Sequence, residues 1–204
     1  GKYFSSSLSA RAVKCDPNII KFLGITLLPQ AGVALGMAGM WAAVFAVKGW
    51  EASAFLVGLA TAALLSLSVV DWKTYEIPFA YNVLIFALGI LALVFDLAHW
   101  YEYVIGFFAI SLPLLALFYI SKGTAIGGGD VKLMAACGML LGWKLALLGF
   151  VFGCIIGSVI HILRMKISGE KHVLAMGPYL SIGVFLAALF GDAAIAWYLS
   201  MLGL

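Results

Sequence analysis

The chain has 204 residues, 65% of them hydrophobic and only 10% charged, with a formal net charge of +3. A soluble globular domain is nearer half apolar and a quarter charged, so this composition excludes an ordinary water-soluble enzyme and indicates a membrane protein. The three cysteines, Cys15, Cys137 and Cys154, make no CxxC pair, which argues against a zinc knuckle or a disulfide framework.

A hydrocarbon core of roughly 30 Å needs about 20 apolar residues per helix. Runs of that kind lie at about 25–47, 52–71, 79–98, 102–120, 130–143, 145–164 and 178–200. They predict an all-α, polytopic transmembrane bundle of about six to seven helices in one compact domain. The strands of a membrane barrel would be about half as long and would alternate polar with apolar residues, which these do not. The fifth run is short and glycine-rich, so it is expected to tilt or to begin below the membrane surface. Residues 1–20 are polar and basic with no apolar core, so no cleavable signal peptide is expected there.

The basic residues orient the bundle. With the N-terminus inside, the cytoplasmic side receives Lys2, Arg11, Lys14, Lys21, Lys73, Lys122, Lys132, Arg164, Lys166 and Lys171, and the outside keeps only Lys48 and Lys144. The positive-inside rule then predicts a cytoplasmic N-terminus. These lysines track topology and form no nucleic-acid stripe, so no nucleic-acid partner is expected. Trp72, Trp100, Trp143 and Trp197 fall near helix ends, where amphipathic rings favour the lipid headgroup layer.

On this topology Asp71 ends the second helix and Asp130 opens the fifth, both at the cytoplasmic rim. An ionisable group at the edge of hydrocarbon is costly and is a functional candidate whose partner should be named. Each aspartate is the obvious partner of the other. Two carboxylates in a poorly hydrated site share one proton and titrate as a unit. One can then act as base on a water while the other polarises a carbonyl oxygen. That suffices for peptide hydrolysis with no metal and no cofactor. The competing structural reading makes each aspartate a helix cap or the partner of Lys73 or Lys132.

Gly127, Gly128 and Gly129, directly before Asp130, allow close backbone approach or positive φ. Lys132 is placed to balance local charge or to meet a lipid phosphate. Pro78 opens the third helix, and Gly177-Pro178 opens the last, at the same rim. Gly149, Gly153 and Gly157 recur every fourth residue, a pattern that lets membrane helices pack closely. It is expected to serve internal packing, and it also admits a homodimer contact.

Three ordered blocks resemble the bacterial type IV prepilin peptidases, polytopic aspartyl proteases of the GxGD class. In "DWKTYEIP" an aspartate precedes an Ile-Pro pair by six residues, "GGGDVKLMAACGMLLGW" is similar to the second aspartate block, and "MGPYLSIGVFLAALFGD" is similar to the C-terminal block. The resemblance covers residues 42–204 and implies that Asp71 and Asp130 are catalytic. It further implies an inner-membrane enzyme that cuts leader peptides from prepilins or pseudopilins at the cytoplasmic face. Phe79 stands where the family usually has Asn or Asp, and Met176 where Phe is common. Larger members carry paired cysteines associated with N-methylation, whereas only Cys15 lies in this N-terminal part, so a peptidase-only form is expected. Residues 20–40 resemble instead a short piece of a monovalent cation–proton antiporter. Residues 1–41 are accordingly expected to form a cytoplasmic segment plus an extra membrane helix.

Two rivals remain at this point. One is an intramembrane GxGD protease of presenilin or signal-peptide-peptidase type. The other is a small proton-coupled transporter with the two aspartates as ion sites, although transporters usually bind near the bilayer midplane.

Overall fold

The computed structural model describes residues 17–124, 126–168 and 175–203. Lys2, Arg11, Lys14, Cys15 and Lys171, and residues 1–16 of the expected N-terminal segment, lie outside the described residues. Among the described residues every regular element is helical: α1 (Pro17–Lys48), α2 (Ala52–Thr74), α3 (Phe79–Phe95), a 3₁₀ turn (Leu97–His99), α4 (Trp100–Ile120), α5 (Gly128–Ser168) and α6 (Gly177–Met201). Four segments are long and apolar enough to cross a membrane, namely Ala52–Thr74, Leu97–Ile120, Gly128–Ile167 and Gly177–Met201, with shorter apolar helices at Gly32–Lys48 and Phe79–Phe95. The chain is thus an all-helical integral membrane protein.

Its 41 residues would make α5 roughly 60 Å long if straight, about twice the thickness of the hydrocarbon core. It is not straight. Gly142 leaves the helical region at φ 77°, ψ 169°, and the chain turns back there. The contacts show the reversal: Cys154 lines the same cavity as Asp130, and these two residues are equidistant in sequence from Gly142. The expected fifth and sixth membrane runs are therefore the two limbs of α5. Their expected boundary, between 143 and 145, falls within three residues of the break.

The first limb of α5 packs on α3 and α4, and the second on α6. Glycine makes these approaches close. A Cβ on Gly138 would collide with the Gly106 carbonyl of α4, and one on Gly89 of α3 would come within 2.8 Å of the Met139 backbone. On the second limb, Gly149 and Gly153 lie against Val184 and Leu180, and Gly157 against the Tyr179 ring. The four-residue glycine stripe is therefore filled internally by α6. Lipid is as apolar as a leucine core, so fit of this kind, rather than burial from water, holds membrane helices together.

The core comprises Leu64, Leu67, Ile85, Leu133, Met134, Leu180 and Val184. Large apolar side chains such as Leu84, Val94, Leu112 and Ile155 point outward, as an exterior facing lipid requires. Helix α1 packs on α2 and runs unbroken from 17 to 48, across the expected boundary at residue 41.

The charged residues sort to the two ends. At one end Lys48 approaches Asp192 at 4.0 Å and Lys144 meets Glu102 at 2.8 Å. At that end too, His99 Nδ1 lies 2.9 Å from Asp96, and this contact, ahead of any other cause, holds the Asp96 carboxyl below its usual range. At the other end Arg164 covers the Trp72 ring at 5.3 Å, and Lys132 covers Phe79 at 5.4 Å. Asp71, Asp130 and Gly177 are at this second end.

Candidate active site

Asp71 sits in the last turn of α2. The helix stops just beyond it, where Tyr75 takes a left-handed conformation (φ 56°) and returns its amide to the Asp71 carbonyl. Although close to a helix end, Asp71 is only 4% exposed. What covers it is the start of α6. The Gly177 amide donates to Asp71 Oδ2 at 3.0 Å, and a Cβ on Gly177 would lie 2.6 Å from that oxygen. Pro178 follows in the first turn of α6, where its missing N–H goes unnoticed.

Asp130 occupies the first turn of α5 and is half-buried. It lines a cavity of about 370 Å³ with Leu114, Gly127, Phe150, Cys154, Met176 and Leu180. Its carboxylate faces the Gly127 backbone, where a Cβ would come within 3.1 Å of Oδ2. Residues 176 and 177 join the two acids: Met176 walls the Asp130 cavity while Gly177 holds Asp71.

The structure brings together Asp71, Asp130, Gly127 and Gly177. Gly129 sits beside them, its α-carbon so close to the α2–α3 connection that a Cβ would lie 3.0 Å from Ile77 Cβ. None of the three glycines has positive φ; the left-handed glycine of this connection is Gly123. The triplet thus serves close approach, and Gly128 makes only an ordinary contact with Phe118. Pro78 is the N-cap residue of α3. Lys132 lies over the Phe79 ring. Among the described residues no lysine or arginine forms an ion pair with Asp71 or Asp130, so the salt-bridge account of these carboxylates has no partner.

Two residues at this end escaped the sequence reading. Cys154, which the sequence offers only as one of three cysteines outside any CxxC pair, is part-buried and opens onto the Asp130 cavity. Asn82, on α3, is 4% exposed, and neither its Oδ1 nor its Nδ2 has a hydrogen-bond partner. A single amide in the apolar run "FAYNVLIFALG" was the available signal.

No solved structure matches the chain. The profile described as the type IV leader peptidase family matches residues 56–162. A protein of Bacillus subtilis (strain 168) named "Prepilin leader peptidase/N-methyltransferase" is 33% identical over 68% of this chain and 56% of its own length. Proteins of the same name from Aeromonas salmonicida (strain A449) and Stutzerimonas stutzeri are each 30% identical, over 74% and 84% of this chain and 54% and 61% of their own. The chain therefore spans little more than half the length of the curated relatives it matches. With the family profile extending across α2 to α5 and thus over both aspartates, the chain belongs to the type IV leader peptidase family.

Proposed function

We propose that this protein is an aspartyl endopeptidase of the bacterial inner membrane that removes leader peptides from type IV prepilins or pseudopilins at the cytoplasmic face. The observation that supports the proposal is the placement of Asp71 against Gly177 and of Asp130 in the cavity walled by Met176, at one end of the bundle, with no ion pair to either acid among the described residues. Lys73, Lys122, Lys132, Arg164 and Lys166 gather at that end, and the positive-inside rule makes it cytoplasmic.

In the proposed reaction the two acids hold one proton between them. The ionised carboxylate takes a proton from water as the resulting hydroxyl attacks the scissile carbonyl carbon. The protonated carboxyl gives its proton to the carbonyl oxygen, so a neutral tetrahedral diol forms. Collapse of the diol returns a proton to the leaving nitrogen and frees the new carboxyl terminus. The substrate's apolar helix stays in the bilayer beside the bundle, its leader lies in the cytoplasm, and the cut follows a glycine in that leader. Residues 42–204 form the peptidase unit, with residues 1–41 as an additional anchoring segment. Methyl transfer, the second half of the relatives' name, is no part of this proposal.

Mass spectrometry of a prepilin co-expressed with this protein tests the reading. A cut at the leader boundary that disappears with Asp130→Asn is expected. An intact prepilin beside well-folded wild-type protein would overturn it, and a cut inside the apolar run would point to the intramembrane rival.

A further inference from the structure

Two cavities of about 240 and 250 Å³ adjoin on the flank of α3 and share Phe79, Asn82 and Lys132. The first is lined further by Val83, Phe86, Phe107 and Ala135 and is almost wholly apolar. The second opens at the rim between Glu76 and Lys132 and is bounded by Gly129, the neighbour of Asp130. Asn82 stands at their junction, 96% buried, with its donor and acceptor both unpartnered. Polar side chains inside membrane bundles usually bond to a neighbouring helix, and a buried amide left unpaired is costly. Asn82 has no such neighbour.

The chemistry of the amide selects its occupant. It offers N–H and C=O side by side, the complement of one peptide unit. A lipid phosphate has acceptors only, so even if Lys132 at the mouth attracted it, it would leave Oδ1 unpaired. An acyl chain would satisfy neither atom. The groove starts one residue from Asp130 and continues into a slot lined by Phe79, Phe86 and Phe107, which suits an extended backbone followed by an apolar side chain.

We infer that Asn82 is a specificity-determining contact for the peptide substrate: its side-chain amide pairs with one backbone unit flanking the scissile bond, and the Val83–Phe86–Phe107 slot takes the adjacent apolar side chain. This inference rests on the peptidase reading above and adds to it a binding residue and a subsite.

The test uses the full chain in lipid nanodiscs and a synthetic prepilin segment spanning the leader junction, with each backbone nitrogen near the junction methylated in turn. Wild-type protein should lose affinity at one position. Asn82→Leu should raise KM for the unmodified segment about tenfold, with kcat little changed, as loss of a buried hydrogen bond implies. Methylation at the sensitive position should then add no further loss, because the two changes remove the same bond. An unchanged KM, or losses that add at every position, would overturn the inference while leaving the peptidase reading intact. Should Asn82→Leu not fold, a photo-crosslinker at Val83 in the Asp130→Asn protein decides: capture of the prepilin segment supports the subsite, and capture of lipid alone refutes it. If wild-type protein leaves the segment uncut, the peptidase reading fails and the inference falls with it.

Discussion

The backbone amide of Gly177 donates a 3.0 Å hydrogen bond to Asp71 Oδ2, joining the first turn of α6 to the last turn of α2 across 106 positions of chain. It fixes one carboxylate by a backbone group that no substitution at position 177 except proline removes. It also leaves no room at position 177 for a side chain.

Gly177→Ala therefore separates orientation from chemistry. The new methyl would lie 2.6 Å from Oδ2, so the carboxylate or the start of α6 must move. A displacement of about 1 Å in a catalytic group can cost roughly a hundredfold in rate. Prepilin cleavage should fall by about that factor while both aspartates remain. Comparison of the initial rate with the thermal unfolding midpoint in detergent checks this, since a folding defect would move both.

A shared proton predicts a bell-shaped dependence of cleavage on pH. When both acids are protonated no base remains, and when both are ionised no proton is available to the carbonyl oxygen. Asp71→Asn and Asp130→Asn should each lower cleavage by several orders of magnitude at every pH. A chelator such as EDTA should leave the wild-type rate unchanged, and chelator inactivation reversed by zinc would replace the dyad with a metal mechanism. Initial rates across the pH range, with and without EDTA, decide it.

The membrane-spanning pattern was legible because lipid demands a long apolar run of every helix, and even the break at Gly142 was foreshadowed where one run ended and the next began. The reversal itself was legible, because the basic residues put Lys144 outside and Arg164 inside. What the structure adds is that Cys154 on the returning limb lines the Asp130 cavity. Asp71 and Asp130 were legible as carboxylates too costly to place idly at the hydrocarbon edge. Asn82 was not, because an apolar run carries no periodicity to say which face of α3 turns inward. The same absence of amphipathic pattern hid the cavity-facing side of Cys154. The glycine triplet was open to two uses, and which one applies depended on how near Ile77 would come.

The crossing of α4 and α5 gives a stability prediction independent of function. Gly106 and Gly138 meet backbone to backbone, and a Cβ on either would strike the other's carbonyl. Overpacking a core of this kind costs about 1–3 kcal/mol. Gly138→Val should lower the unfolding midpoint of the purified protein, whereas Leu84→Val, on the outward face of α3, should leave it nearly unchanged. Thermal denaturation of the two variants in one detergent provides the comparison.

Cys154 provides an internal reporter of the cavity. Its side chain opens onto the space beside Asp130, while Cys137 is fully buried in the core. In a Cys15→Ser background, a small thiol reagent such as methyl methanethiosulfonate should modify Cys154 well before Cys137. The added group would then occupy part of the roughly 370 Å³ beside the Asp130 carboxylate. Cleavage should be lost in step with labelling of Cys154, and Cys154→Ala should be active and insensitive to the reagent. Peptide mapping by mass spectrometry alongside the rate shows whether the two losses coincide. Full activity after complete labelling of Cys154 would mean that the substrate reaches the carboxylates by another side, leaving the groove past Asn82 as the route to test.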